Sequence, residues 1–126
     1  MSTNAPSDVV DAYGACYSAG DAAGIADLCE APFVAVRNGE VVHLADRDAV
    51  LTHFQTLIDG YRTTGAASFR LGSLHVQTLG ERSCMAMATW KVLGTDGQLV
   101  RDRATTYHLV FGDPGWHFLS YTNHDA

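Results

Sequence analysis

The spacing of the apolar residues changes halfway along the chain, and this change is the strongest constraint on the fold. Residues 67–78, 83–93, 98–111 and 116–122 alternate between apolar and polar side chains, which predicts four strands. Before residue 67, apolar residues recur at helical spacing in three segments. Helices grouped apart from a mostly antiparallel sheet predict an α+β domain with the element order ααββαββββ.

Three helices are predicted in the first half. The first starts at Pro6 and ends where Gly20 can take a left-handed conformation. Asp21 caps a short second helix over about 22–30. The third helix follows a cap at Asp46 and carries an apolar stripe. The residues of that stripe are Val50, Leu51, Phe54, Leu57, Ile58 and Tyr61.

A β-hairpin is predicted between the second and third helices. Two β-rich runs flank Asn38-Gly39, a pair that suits the type I′ turn because both central residues need a positive φ. Arg37 and Glu40 flank the turn and can pair across the ladder. Arg37 is therefore a candidate either for that ion pair or for a pocket.

Composition narrows the class of protein. The 126 residues suffice for one domain over 1–126. A net charge of −6, with only eight scattered basic residues, argues against a nucleic-acid partner. No apolar run is long enough to span a bilayer, and "MSTNAPSD" lacks the basic and apolar regions of a signal peptide. We expect a cytoplasmic protein with no membrane partner.

The cysteines and histidines do not predict a metal or a cofactor. Cys16, Cys29 and Cys84 show no CxxC spacing and are expected to be reduced, buried thiols. The six histidines form neither an HxH nor an HExxH motif.

The order of elements resembles the nuclear transport factor 2-like superfamily, which includes SnoaL-like and ketosteroid-isomerase-like proteins. The resemblance covers nearly the whole chain and is most specific in "VVDAYGACYSAGDAAGIADL", with support from "DRDAVLTHF" and "GWHF". It implies a cystatin-like fold, in which a strongly curved sheet and three helices form a cone with a pocket at its open end. The superfamily contains isomerases, dehydratases, epoxide hydrolases, cyclases and interaction modules, so no single chemistry follows.

The resemblance to ketosteroid isomerases matches three of their catalytic positions to residues of this chain. Their tyrosine that donates a hydrogen bond to the substrate oxygen matches Tyr13, seven residues before the glycine of "AGD". Their general base and second oxyanion donor, both aspartates, fall on Arg37 and Tyr107. Arginine keeps its proton at any working pH, so the known isomerase mechanism is not expected. The Arg-x-Asp pattern of epoxide hydrolases is also missing, because the aspartate of "RDR" lies on the opposite strand face from both arginines.

The candidate ligand pocket combines apolar walls with a few polar groups, which is typical of a site for a small apolar or aromatic molecule. Alignment to the family and strand alternation assign to it Tyr13, Tyr17, Arg37, Phe54, Tyr61, Trp90, Arg103, Tyr107 and Ser120. The arginines suit a carboxylate or enolate oxygen. The candidate catalytic residues are Tyr13 and Tyr107 as hydroxyl donors and His53 as a base. The alternative is that Tyr13 is a packed core residue whose hydroxyl is hydrogen-bonded to a backbone group.

The opposite face of the sheet is predicted to form a homodimer, as is common in the family. The residues assigned to this face are Met85, Met87, Val110, Leu119 and Tyr121. Apolar residues on an exposed sheet face indicate an interface. A β-bulge would exchange these face assignments locally.

Two functions follow from these patterns. The first is a small-molecule-binding protein, with isomerisation, cyclisation or dehydration of a carbonyl compound as its chemistry if it is an enzyme. The second is a non-catalytic dimeric module whose cone is filled by its own side chains. The discriminating feature is whether Trp90, Phe54, Tyr61 and Trp116 meet inside the cone.

Overall fold

The structure, a computed structural model, describes residues 5–113 and 115–124, and its elements follow the predicted order. The helices are α1 (Pro6–Ala19), α2 (Ala22–Asp27) and α3 (Arg47–Thr63). The strands are β1 (Cys29–Arg37), β2 (Glu40–Leu44), β3 (Ala66–Thr78), β4 (Ser83–Gly94), β5 (Leu99–Phe111) and β6 (Trp116–His124). The predicted α+β class is confirmed. None of the helices in these ranges is long and apolar enough to cross a membrane.

One six-stranded sheet, in the order β2-β1-β6-β5-β4-β3, surrounds the helices. All neighbouring strands are antiparallel except β1 and β6, which are parallel. Helix α3 contacts both β2 and β3, which are the two edges of the sheet. A flat sheet could not bring its two edges to one helix, so this sheet is strongly curved, as the cone prediction requires. We call its helix-facing side the inner face and the opposite side the outer face.

Turn-forming and helix-capping residues define where several of the helices and strands begin or end. Asn38 and Gly39 have φ values of 53° and 77°, as the type I′ turn requires. The Asp46 side chain accepts a hydrogen bond from the Ala49 amide at 2.9 Å and caps α3. Gly20 ends α1 with a φ of 72°.

Helix α2 is shorter than predicted. It ends at Asp27 rather than near residue 30. The Phe118 amide donates a hydrogen bond to the Leu28 carbonyl at 2.9 Å, and Cys29 pairs with Phe118 in the parallel ladder. Pairing with β6 therefore places in β1 residues that the helical spacing had assigned to the end of α2.

A β-bulge in β6 reverses two of the predicted face assignments. Leu109 pairs with Phe118 and His108 pairs with Ser120, which leaves Leu119 as an extra residue. Beyond the bulge, Tyr121 turns inward and is only 2% exposed, whereas Ser120 lies on the outer face beside His108. The predictions of Ser120 in the pocket and of Tyr121 at the dimer interface are therefore wrong.

Tyr13 lies at the centre of the core. Its ring centroid is within 6.1 Å of the rings of residues from α1, α3, β4, β5 and β6. These residues are Tyr17, Phe54, Trp90, Tyr107 and Phe118. The ring thus ties the first helix to the inner face of the sheet, and mixed tilted and edge-on contacts of this kind add to simple area burial.

Gly14 is required by the close approach of α1 to Trp90. A Cβ at Gly14 would lie 2.8 Å from the Trp90 ring, whereas a Cβ at Gly60 of α3 would meet nothing within 4 Å. We expect Gly14→Ala to lower the free energy of unfolding by about 1 kcal/mol or more, because overpacking outweighs the gain in helix propensity.

The matched control is Gly60→Ala, which we expect to raise the free energy of unfolding by about 0.5–1 kcal/mol through helix propensity alone. Urea denaturation of both variants measures the difference. Equal stabilisation by the two substitutions would contradict the close contact between α1 and Trp90.

Candidate functional site

A small cavity lies between α1 and the inner face of the sheet, with a free volume of about 30 Å³. It is lined by Tyr13, Gly14, Tyr17, Arg37, Tyr61, Phe69, Trp90, Val92, Arg103, Thr105, Tyr107, Tyr121 and Asn123. This volume accommodates roughly two water molecules, well below the ~300 Å³ of a usual ligand pocket. Side chains therefore fill most of the cone.

The rings that fill the cone are not quite those predicted. Trp90 and Tyr61 line the cavity, and Phe54 lies behind its wall with its ring 6.0 Å from that of Tyr13. Trp116 instead packs against Phe111, with ring centroids 5.5 Å apart. The ring of Tyr13 occupies the centre of the cone. The sequence had left open whether this ring packs in the core or contacts a ligand.

The hydroxyl of Tyr13 belongs to a group of polar side chains that line the cavity together with Tyr17 and Tyr107. The Trp90 indole N–H donates to the Tyr107 hydroxyl at 3.0 Å, and the Thr105 hydroxyl donates to the Asn123 side-chain oxygen at 2.9 Å. These residues form a polar strip along an otherwise aromatic wall.

The tyrosines of this strip keep their protons. Burial raises the pKa of Tyr13, Tyr17 and Tyr107, because a phenolate is poorly solvated in the interior. At neutral pH they are hydrogen-bond donors. They can therefore stabilise an oxygen that carries negative charge.

A second polar group surrounds Tyr121, which the bulge brings inward. The His53 Nε2 atom from α3 lies 2.6 Å from the Tyr121 hydroxyl, and the Arg37 Nη1 atom from the end of β1 donates to the same oxygen at 3.4 Å. Burial, assisted by the positive charge of Arg37, lowers the pKa of His53. Burial also raises the pKa of Tyr121, although the hydrogen bond and charge of Arg37 act in the opposite direction.

Arg37 does not form the ion pair that the hairpin suggested. Its backbone pairs with Glu40 in the ladder, but no ion pair between the two is present in the described part of the chain. The strand direction sends the guanidinium to the inner face, where it meets Tyr121 instead.

Arg103 contributes a polar atom that the fold leaves unpaired. Its Nε is buried and has no hydrogen-bond partner among the described residues. Neither aspartate nor glutamate occurs among the described residues that line the cavity, although the whole chain has a net charge of −6. Two arginines facing one cavity without a carboxylate make the site complementary to an anion.

The structure brings together most of the residues predicted for the pocket. Seven of them line the cavity: Tyr13, Tyr17, Arg37, Tyr61, Trp90, Arg103 and Tyr107. The sequence did not assign Thr105, Tyr121 and Asn123 to the pocket. Thr105 already lay on the face assigned to the pocket, whereas the other two could be found only with the bulge known. No cluster able to hold a metal ion is found within residues 5–113 and 115–124.

The chain belongs to a family of NTF2-like proteins. Residues 6–126 match the sequence model described as "NTF2-like protein (DUF6841)". This confirms the superfamily that the sequence motifs indicated. No curated protein matches the chain by sequence.

Solved structures share the fold at low sequence identity. An NTF2-like protein with a cystatin-like fold from Novosphingobium aromaticivorans is 18% identical with a TM-score of 0.73, over 92% of this chain and 76% of the other. A domain of unknown function with a cystatin-like fold from Nostoc punctiforme is 15% identical with a TM-score of 0.73, over 94% and 74%. An NTF2-like protein of unknown function from Shewanella oneidensis is 12% identical with a TM-score of 0.73, over 96% and 100%.

The environment of His53 predicts a pH dependence of stability. Because its pKa is lowered from the ordinary 6.5 in the folded protein, the unfolded chain binds a proton more readily at that residue. This contribution is present above pH 6.5 and is lost as the pH falls through the folded-state pKa. We expect the stability of the wild type to fall more steeply below pH 6.5 than that of His53→Gln.

Urea denaturation at a series of pH values between 5 and 8 measures this difference in slope. His53→Gln also loses the hydrogen bond to Tyr121, and this loss lowers the stability of the variant by the same amount at every pH. Comparing the slopes of stability against pH therefore isolates the titration of His53. The same slope for both proteins would show that burial does not disfavour the charged imidazole.

Proposed function

We propose that this NTF2-like protein binds a small apolar or aromatic carbonyl compound that carries a negatively charged oxygen, such as an aromatic carboxylate or an enolate. The observation that carries the proposal is the unpaired, buried Nε of Arg103 beside a cavity with no lining carboxylate. A buried guanidinium N–H left without a hydrogen-bond partner costs free energy, which an anionic ligand would recover. The tyrosine hydroxyls and Arg37 supply further donors to such an oxygen.

The apolar body of the ligand needs more room than the cavity offers. A surface groove of about 370 Å³ lies on the other side of Trp90 and Phe69. The groove and the cavity share Gly14, Phe69 and Trp90 as lining residues. A shift of the two rings would join the spaces, with the charged oxygen at Arg103 and the apolar body against Leu71 and Leu93 of the groove, whose lining also includes Asp11 and Arg70.

The binding proposal predicts selective loss of affinity in Arg103→Met. This change keeps the apolar stem and removes the charge, so we expect benzoate and cinnamate to bind at least 10-fold more weakly than to the wild type, as the loss of one charge-assisted hydrogen bond implies. Isothermal titration calorimetry measures both affinities.

The matched control is Arg101→Met, the same change at an exposed position of β5. We expect it to bind benzoate and cinnamate as the wild type does. The neutral analogues benzamide and cinnamamide should bind the wild type more weakly than the acids. Equal affinity of Arg103→Met and the wild type for both acids would refute the proposal.

A filled cone favours a second candidate function, a non-catalytic interaction module. The free volume of about 30 Å³ and the central position of the Tyr13 ring are the observations behind it. In that case the outer face would be the functional surface.

We propose in addition that the protein is cytoplasmic, because its three cysteines are all free thiols, which suit a reducing compartment.

We propose a homodimer through the outer face under either function. Met87 is 46% exposed there, and Met85 pairs with His108 on the neighbouring strand. Val110 and Leu119 are half-buried on the same face. Apolar residues gathered on an exposed sheet face favour association with a second copy.

The dimer proposal predicts that Met87→Lys yields a monomer, because two charged side chains would be brought into an apolar interface. Size-exclusion chromatography with light scattering at micromolar concentration measures the mass. Val41→Lys is the matched control, since Val41 is 68% exposed on the edge strand β2, outside the β4, β5 and β6 strands of the proposed interface, and we expect it to remain dimeric. A monomeric wild type would rule out the dimer.

A further inference from the structure

We infer that Tyr121, His53 and Arg37 form a proton-transfer site, which removes and returns a proton at the carbon next to a ligand's carbonyl group. The inference rests on the proposed binding of a carbonyl compound in the same cavity. It assigns a role to Tyr121, which faces the cavity only because of the bulge in β6.

The proton-transfer site uses the neutral His53 tautomer that carries its hydrogen on Nδ1. Arg37 Nη1 has hydrogens but no free lone pair, so it donates to the Tyr121 oxygen at 3.4 Å. In this tautomer the tyrosine donates its own hydrogen to His53 Nε2 at 2.6 Å. The remaining lone pair of the phenolic oxygen is left to accept from a ligand, because Tyr121 lines the cavity.

This arrangement allows a balanced proton transfer. A ligand C–H proton passes to the Tyr121 oxygen while the tyrosine proton passes to His53 Nε2. The electron pair of the broken C–H bond becomes the enolate, so the products are a neutral tyrosine, an imidazolium and an enolate. Return of the proton by the reverse route, to the same or another carbon, regenerates the site. No bond is oxidised or reduced, and no co-reactant is consumed.

The surrounding charges stabilise the negative charge that the transfer creates. The Arg37 guanidinium stabilises negative charge on the Tyr121 oxygen while the proton is in flight. The unpaired Arg103 Nε is a donor for the enolate oxygen. His53 is half-buried and is neutral at physiological pH, because burial and Arg37 lower its pKa. Its partial exposure allows it to exchange the proton with solvent.

The test is exchange of α-protons in D₂O, followed by ¹H NMR, with phenylpyruvate and phenylacetone as the probes. We expect the wild type to accelerate the loss of the α-proton signal over buffer. Tyr121→Phe keeps the ring and removes the hydroxyl, and should slow the catalysed exchange by about 100-fold or more. His53→Gln should slow it as well and remove the acid limb of the pH–rate profile, which a purely structural role would not do.

The matched control is His75→Gln, which changes an exposed histidine on the outer side of β3 and should retain the wild-type rate. Circular dichroism and benzoate affinity show whether Tyr121→Phe keeps its fold and cavity. Exchange that survives in a folded Tyr121→Phe variant would overturn the inference.

Two further outcomes separate the inference from the proposed function. A wild type that binds benzoate but does not accelerate exchange of either probe would overturn the proton-transfer site and leave the binding proposal in place. A wild type that neither binds benzoate or cinnamate nor accelerates exchange would overturn both.

Discussion

The burial of the Tyr13 ring against the inner face of the sheet is the contact on which the rest of the structure depends. Rings from both long helices and three strands meet it within 6.1 Å. This one ring fixes α1 inside the curved sheet and also occupies the space where a larger ligand would lie. The phenolic oxygen brought into the core with it lies among the other tyrosines that line the cavity. Packing and site chemistry therefore share the same residue.

The site departs from the rules that govern the rest of the core. The ion pairs of the described chain lie near the surface, as that of Arg47 with Asp27 at 2.7 Å does. Inside the cone, Arg103 keeps an unpaired buried Nε, and Arg37 meets a tyrosine hydroxyl instead of a carboxylate. Such costs are usually kept where function requires them. The unpaired Arg103 Nε, in a cavity with no carboxylate among its described lining residues, is what supports the proposed binding site.

Much of the candidate site follows from the sequence because strand alternation is a local property. Trp90, Arg103 and Tyr107 are on the face that alternation assigns to them. The partner of His53 could not be found in this way. One extra residue at Leu119 changes which side chains of β6 face inward, and that bulge depends on pairing between strands rather than on the residues next to it.

The sequence by itself determined the order of the elements, the hairpin at Asn38-Gly39 and the cap at Asp46, because each depends on residues close together in the chain. It also determined the family, through a pattern that extends over residues 6–126. Only the tertiary structure decided how full the cone is, where Arg37 points and that Tyr121 joins His53. These features depend on volumes and registers between elements that are distant in sequence. A single shift of register, or one ring at the centre of the core, is enough to change them.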